Sequence, residues 1–127
     1  SFFDKGSPIF EYAKERAAMK NLLIIYRQFN NAEAIRNDLE ADGYGVHLIE
    51  NKALDLKILN LSAYDLAIIQ SYPDLSTAWG VYLNFKERFP DFPILLYIRQ
   101  NTLDTLKASV KEVFREKAAS ARVRVNI

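Results

Sequence analysis

A chain of 127 residues, 50% hydrophobic and 26% charged, is long enough to bury a core as one domain (1–127) without staples. Seventeen basic against sixteen acidic residues leave +1, which excludes a global field that draws in nucleic acid or a membrane surface. The absence of cysteine excludes disulfides and thiolate chemistry and fits a reducing cytoplasm; no apolar run is long enough for a bilayer, and no signal-peptide pattern opens the chain.

Ser7-Pro8 is a good cap and first helical position, and Ile9, Phe10, Ala13 and Ala17 share a face, so a helix is predicted over 8–18. Leu22 to Tyr26 reads as a strand buried on both faces. Asn30-Asn31 caps the next helix, Ile35 and Leu39 lie on its inner face, and Gly43 stops it. Tyr44 to Ile49 is a second strand. Ala53 to Leu61 is predicted as a short helix with Leu54, Ile58 and Leu61 inward. A third strand, Tyr64 to Ile69, ends at Gln70 and leads into the turn Ser71-Tyr72-Pro73-Asp74. A helix follows over Leu75 to Phe89, with Trp79 and Leu83 inward and Pro90 closing it. Ile94 to Ile98 is the fourth strand. Asn101-Thr102 caps a helix whose Leu103, Leu106, Val110 and Val113 follow three-and-four spacing. Arg122 to Ile127 alternates and reads as an edge strand whose charges discourage unwanted pairing. Five strands alternating with helices predict an α/β three-layer fold, a parallel sheet of order 2-1-3-4-5.

The strand–turn–helix–strand stretch from Tyr64 to Ile98 resembles the centre of a response-regulator receiver domain, a flavodoxin-like (CheY-like) fold. The resemblance implies a phosphoryl pocket at the carboxyl edge of the sheet, and at each of its positions this chain departs from the family. The acidic pair that holds Mg²⁺ aligns with Tyr26 and Arg27, the phosphoacceptor aspartate with Gln70, and the small hydroxyl with Ile98. The lysine after strand five has only Lys5 as a loose counterpart. Hard cations want anionic oxygen ligands, so neither a metal ion nor another cofactor is expected, and phosphoryl transfer is not.

A receiver ends in a fifth helix, whereas this chain reaches Ile127 at its fifth predicted strand. Two arrangements stay open. In one the chain is a circular permutant, with residues 8–18 in the place of helix five and Met19 opening the first strand as a natural start would. In the other, an ordinary N-terminal helix precedes a domain cut short. Both set 8–18 against the sheet beside the first helix.

The carboxyl edge is lined by Arg27, Gln28, Gln70, Arg99, Gln100 and Asn101. Guanidinium and amide groups suit phosphate or carboxylate oxygens, so Arg27, Gln70 and Arg99 are candidates for an anion or nucleotide site; the alternative is polar strand ends facing water. No Gly-rich phosphate loop is present. A weaker resemblance, in Asn101-Thr102-Leu103-Asp104 and Ser1-Phe2-Phe3, is to the N-terminal receiver-like domain of bacterial ornithine, lysine and arginine decarboxylases. It implies assembly or alarmone binding. His47, the single histidine, rules out a His cluster or a histidine-containing triad and is expected to be half-buried packing. Asp74 and Asp104 suit a turn and a first helical turn. Phe2, Phe3, Tyr72, Trp79, Tyr82 and Phe85 are expected mostly in the core, with Trp79 or Tyr82 a candidate contact. The expected function is a non-catalytic pseudo-receiver in the cytoplasm, acting on a protein partner, a fused output domain or a second copy through residues 103–127 and 8–18. A small-anion sensor is the alternative, and no enzyme activity is expected.

Overall fold

Four apolar strands, β1 (Asn21–Tyr26), β2 (Gly45–Glu50), β3 (Leu66–Gln70) and β4 (Ile94–Tyr97), lie parallel in the order β2-β1-β3-β4. The structure, a computed structural model, describes residues 19–71, 75–97 and 103–125, with Leu75 and residues 120–125 described by backbone alone. Three helices connect or follow the strands: α1 (Phe29–Ala41), α2 (Leu75–Arg88) and α3 (Leu103–Val125).

Alternate side chains of the central strands feed two separate cores. Leu22, Ile24, Leu66 and Ile68 pack under Ala32, Ile35 and Leu39 of α1 and Leu106 and Val110 of α3. Leu23, Ile25, Ala67 and Ile69 pack under Ala78 and Phe85 of α2. Burial on both sides is why β1 and β3 read as unbroken apolar runs. The expected positions of the first four strands and the inner faces of α1 and α3 agree with this arrangement.

α1 starts earlier than expected. Its cap is Gln28, whose side chain accepts from Asn31 N at 2.9 Å, not Asn30-Asn31. It ends as Gly43 requires, with φ +98°: Gly43 N donates to Glu40 O at 3.0 Å and Tyr44 N to Leu39 O at 3.2 Å. These are the two bonds of a Schellman motif.

Residues 53–61 do not form the expected helix. Two short 3₁₀ turns, Asn51–Ala53 and Leu61–Ala63, bracket an irregular stretch. Asp55 Oδ1 accepts from Lys57 N at 2.9 Å and Asn60 Oδ1 from Ser62 N at 3.1 Å, so both side chains offer the backbone local bonds that compete with a helix. Leu54 and Leu61 still pack on the core, but Ile58 is 80% exposed. On α2, Trp79 and Leu83 face outward at 50% and 49% exposure. The inner face is Ala78 and Phe85, flanked by Tyr82 and Phe89: Ala78 lets the helix approach the sheet and Phe85 fills the core beside it.

The expected fifth strand is absent over 122–125, which continue α3. No glycine or proline lies between Leu103 and Ile127, and an alanine-rich stretch leads into them, so nothing interrupts the helical hydrogen bonding. α3 packs on the same face of the sheet as α1. Lys107 Nζ lies 3.3 Å from Asp42 Oδ2, Phe114 stacks on Tyr44 at 6.0 Å, and Lys117 Nζ donates to Asp65 O at 3.1 Å. Residues 1–18, 126 and 127, on which the permutant arrangement depends, lie outside the described residues. Among the described residues, no helix is long and apolar enough to cross a membrane.

A Cβ added at Gly43 would meet nothing within 4 Å, so its cost is conformational alone. Gly43→Ala should therefore lower unfolding free energy by about 1–2 kcal/mol in urea titration, with an unchanged m-value.

Candidate functional site

At the carboxyl end of β3 the chain must satisfy the polar groups of a fully buried side chain. Gln70 is 1% exposed. Its Oε1 accepts from Arg27 N and from Gln28 N, both at 2.8 Å. Its Nε2 donates to Gln28 O at 3.1 Å and to Asn31 Oδ1 at 2.8 Å. An amide has two donor hydrogens and two principal acceptor sites. All are used.

The partners come from one short segment, the β1–α1 connection. β1 ends at Tyr26, whose half-buried ring meets Phe29 edge-on at 5.8 Å and 62°. The backbone then turns Arg27 N and Gln28 N toward β3, and Gln28 caps α1 while its carbonyl receives the Gln70 amide. Asn31, placed in the first turn by that cap, turns its side-chain oxygen to the same amide. Gln70 thereby ties the last residue of β3 to the loop and first turn of α1. Next to it, buried Ser71 donates its Oγ to Tyr97 O at 2.6 Å and its N to the same oxygen at 3.0 Å, joining the ends of β3 and β4.

Of the residues expected to form the degenerate pocket, Tyr26, Arg27 and Gln70 do converge here. The Arg27 side chain is exposed, and its contribution to the clamp is its backbone N–H. Ile98 and Arg99 lie outside the described residues, as do Gln100, Asn101 and Thr102. The expected anion set of Arg27, Gln70 and Arg99 therefore loses one member on chemistry: the Gln70 amide has no hydrogen-bonding capacity left. The depression lined by Ile25, Arg27, Asn51, Ile69, Gln70, Ala78 and Val81 has no room for a water molecule. Among the described residues, no three of His, Asp and Glu come together in a way that would hold a metal ion.

Asn31 and Ser71 were not legible as site residues. The sequence places Asn31 only as a cap of α1, and its role here needs Gln70, which is 39 positions away.

The larger groove, about 440 Å³, is at the opposite, amino edge and is lined by Met19, Asn21, Glu40, Gly45, His47 and Tyr64 among others. His47 is exposed, not half-buried as expected, because it sits on the edge strand β2; its Nδ1 lies 2.6 Å from the Tyr64 hydroxyl. Burial pushes the Tyr64 hydroxyl up from its ordinary value. Asp104 sits in the first turn of α3, as expected for an acidic residue at a positive helix end.

No family model matches the chain, and no curated protein matches it. A solved response regulator from Thermotoga maritima superposes with a TM-score of 0.59 at 18% identity, covering 76% of this chain and 98% of that one. That likeness establishes a receiver-like fold. The decarboxylase resemblance receives no support from it.

The clamp makes a sharp prediction. Gln70→Glu keeps the shape and both accepted bonds but sets a carboxylate against Gln28 O and Asn31 Oδ1. Stability at pH 7 should fall by about 2–4 kcal/mol. Burial and the facing oxygens raise the new carboxyl's folded pKa above its unfolded one, so the folded state binds the extra proton. The deficit should then shrink as pH drops from 7 to about 5, in urea melts at each pH. An equal deficit at both would count against the assigned donors.

Proposed function

We propose that this chain is a non-catalytic receiver-like domain that works through protein contact and is not switched by aspartyl phosphorylation. The observation that carries this is the Gln70 clamp. A carboxamide is a poor nucleophile and carries no charge, and here both its ends are already bonded to the β1–α1 connection. A phosphoryl group would need those same N–H groups and space that the clamp fills.

In a switching domain, charge arriving at this edge moves neighbouring loops. Here the edge is locked by neutral hydrogen bonds, so the fold acts as a fixed scaffold. The surface it offers is the outer side of α3, where exposed Lys111, Glu112, Arg115 and Glu116 alternate in sign and Glu112 pairs with Arg115. Such a mixed-charge helix suits a protein partner or a fused output domain better than a nucleic acid. A small-anion sensor is less well supported, since Gln70 cannot contribute to it.

Incubation with acetyl phosphate and Mg²⁺ should leave the intact mass unchanged. A hydroxylamine-labile phosphoryl adduct on any aspartate would overturn the proposal.

A further inference from the structure

β4 ends the sheet on one side among the described residues. Its inner side is occupied: Ala67 N donates to Pro93 O at 3.1 Å and Ser71 N to Tyr97 O at 3.0 Å. The alternation of a parallel ladder then turns the backbone N–H and C=O of Ile94 and Leu96 away from β3. The strand reads Ile-Leu-Leu-Tyr; at four residues it is short, and it has no charge, bulge or internal proline to blunt its edge further. The opposite edge strand, β2, is different: it presents exposed His47 and Glu50.

α2 lies against β3 and β4. Its Val81 flank faces β1, because Val81 lines the same depression as Ile25, Arg27 and Asn51. At 100° per residue, Trp79, Leu83 and Lys86 fall on the other flank, the side of the open strand. Trp79 and Leu83 are half exposed. Tyr82 stacks on Trp79 at 5.3 Å and 12°, and the Lys86 ammonium lies 6.0 Å from the Tyr82 ring. A strand edge with no partner among the described residues and an apolar helix flank thus share one side of the molecule.

We infer that this side is the interface of a two-fold homodimer in which β4 pairs antiparallel with β4 of a second copy. The residue order identifies the occupant, because it is complementary to itself under a two-fold axis. The flank runs aromatic, aliphatic, cation: Trp79, Leu83, Lys86. Turned end for end, Leu83 meets Leu83, and each Trp79 ring meets the other copy's Lys86 ammonium, a cation–π pair. The strand passes the same test. An axis at Leu95 sets Ile94 opposite Leu96, and the outward N–H and C=O groups of both are then satisfied. The contact is short, so the dimer is a weak one, with Kd on the order of 1–100 µM. It does not rest on the proposed loss of phosphoryl chemistry, since a phosphorylatable domain would present the same edge.

The chain lacks cysteine, so Leu83→Cys places a unique thiol on the axis. Under mild oxidation it should form a covalent dimer at least about tenfold faster than Asn37→Cys, an exposed control on α1. Light scattering of the unmodified chain should rise from 14.6 kDa toward twice that mass as concentration increases through the Kd. Trp79→Glu with Leu83→Glu should hold it at 14.6 kDa with an unchanged circular dichroism spectrum, both side chains being half exposed. A monomer at every concentration, a dimer that survives the double glutamate variant, or equal cross-linking of the two cysteine variants would each overturn the inference.

Discussion

A buried amide is tolerated only when each of its donors and acceptors finds a partner, since each one left over costs about 1–3 kcal/mol. Gln70 meets that demand with backbone and side-chain groups from a single connection, β1 to α1. The consequence is structural before it is functional. Gln28 is held where it caps α1, so the orientation of that helix on the Leu22–Ile24 face depends on an amide at the end of β3. An aspartate at the same place is one methylene shorter in reach and, ionised, has no donor for Gln28 O or Asn31 Oδ1. Gln70, on which the proposed loss of phosphoryl chemistry rests, thus also supplies the cross-link.

The architecture around the clamp departs from an ordinary receiver in where the chain goes after β4. The next described element, α3, lies on the α1 face and runs antiparallel to the strands, from Leu103 at the carboxyl edge to Lys117 beside Asp65 at the amino edge. Both sheet faces are thereby covered, and β4 keeps an edge with no strand beside it among the described residues. A side chain saturated by its neighbours and a strand edge open among the described residues are the two features on which the proposed scaffold role rests. Its net charge of +1 raises little barrier to a second copy approaching.

Much of this was legible from residue patterns. Runs such as Leu22-Leu23-Ile24-Ile25 admit few environments other than a strand buried on both faces, and Gly43 sits where only a residue free of Cβ ends a helix cheaply. The failures share a cause: local patterns with two solutions. Arg122-Val123-Arg124-Val125 alternates, but an upstream helix with no breaker absorbs it. Trp79 and Leu83 share one flank of α2 and Ala78 and Phe85 the adjacent one; Ala78 admits the sheet closely and Phe85 fills the space beside it. Leu54, Ile58 and Leu61 have helical spacing, yet Asp55 and Asn60 bond their own backbone instead. The site itself was legible as a position. That Gln70 is a clamp depends on Gln28 and Asn31, 42 and 39 residues away, and no local pattern encodes that.

The most direct test is hydrogen exchange at the clamp, followed by NMR. If Gln70 holds the β1–α1 connection, the Arg27 and Gln28 amides and the Gln70 side-chain NH₂ protons will exchange as slowly as the neighbouring amides of β1 and β3. Exchange of all of them at the rate of an unprotected loop, with β1 and β3 still protected, would contradict the account.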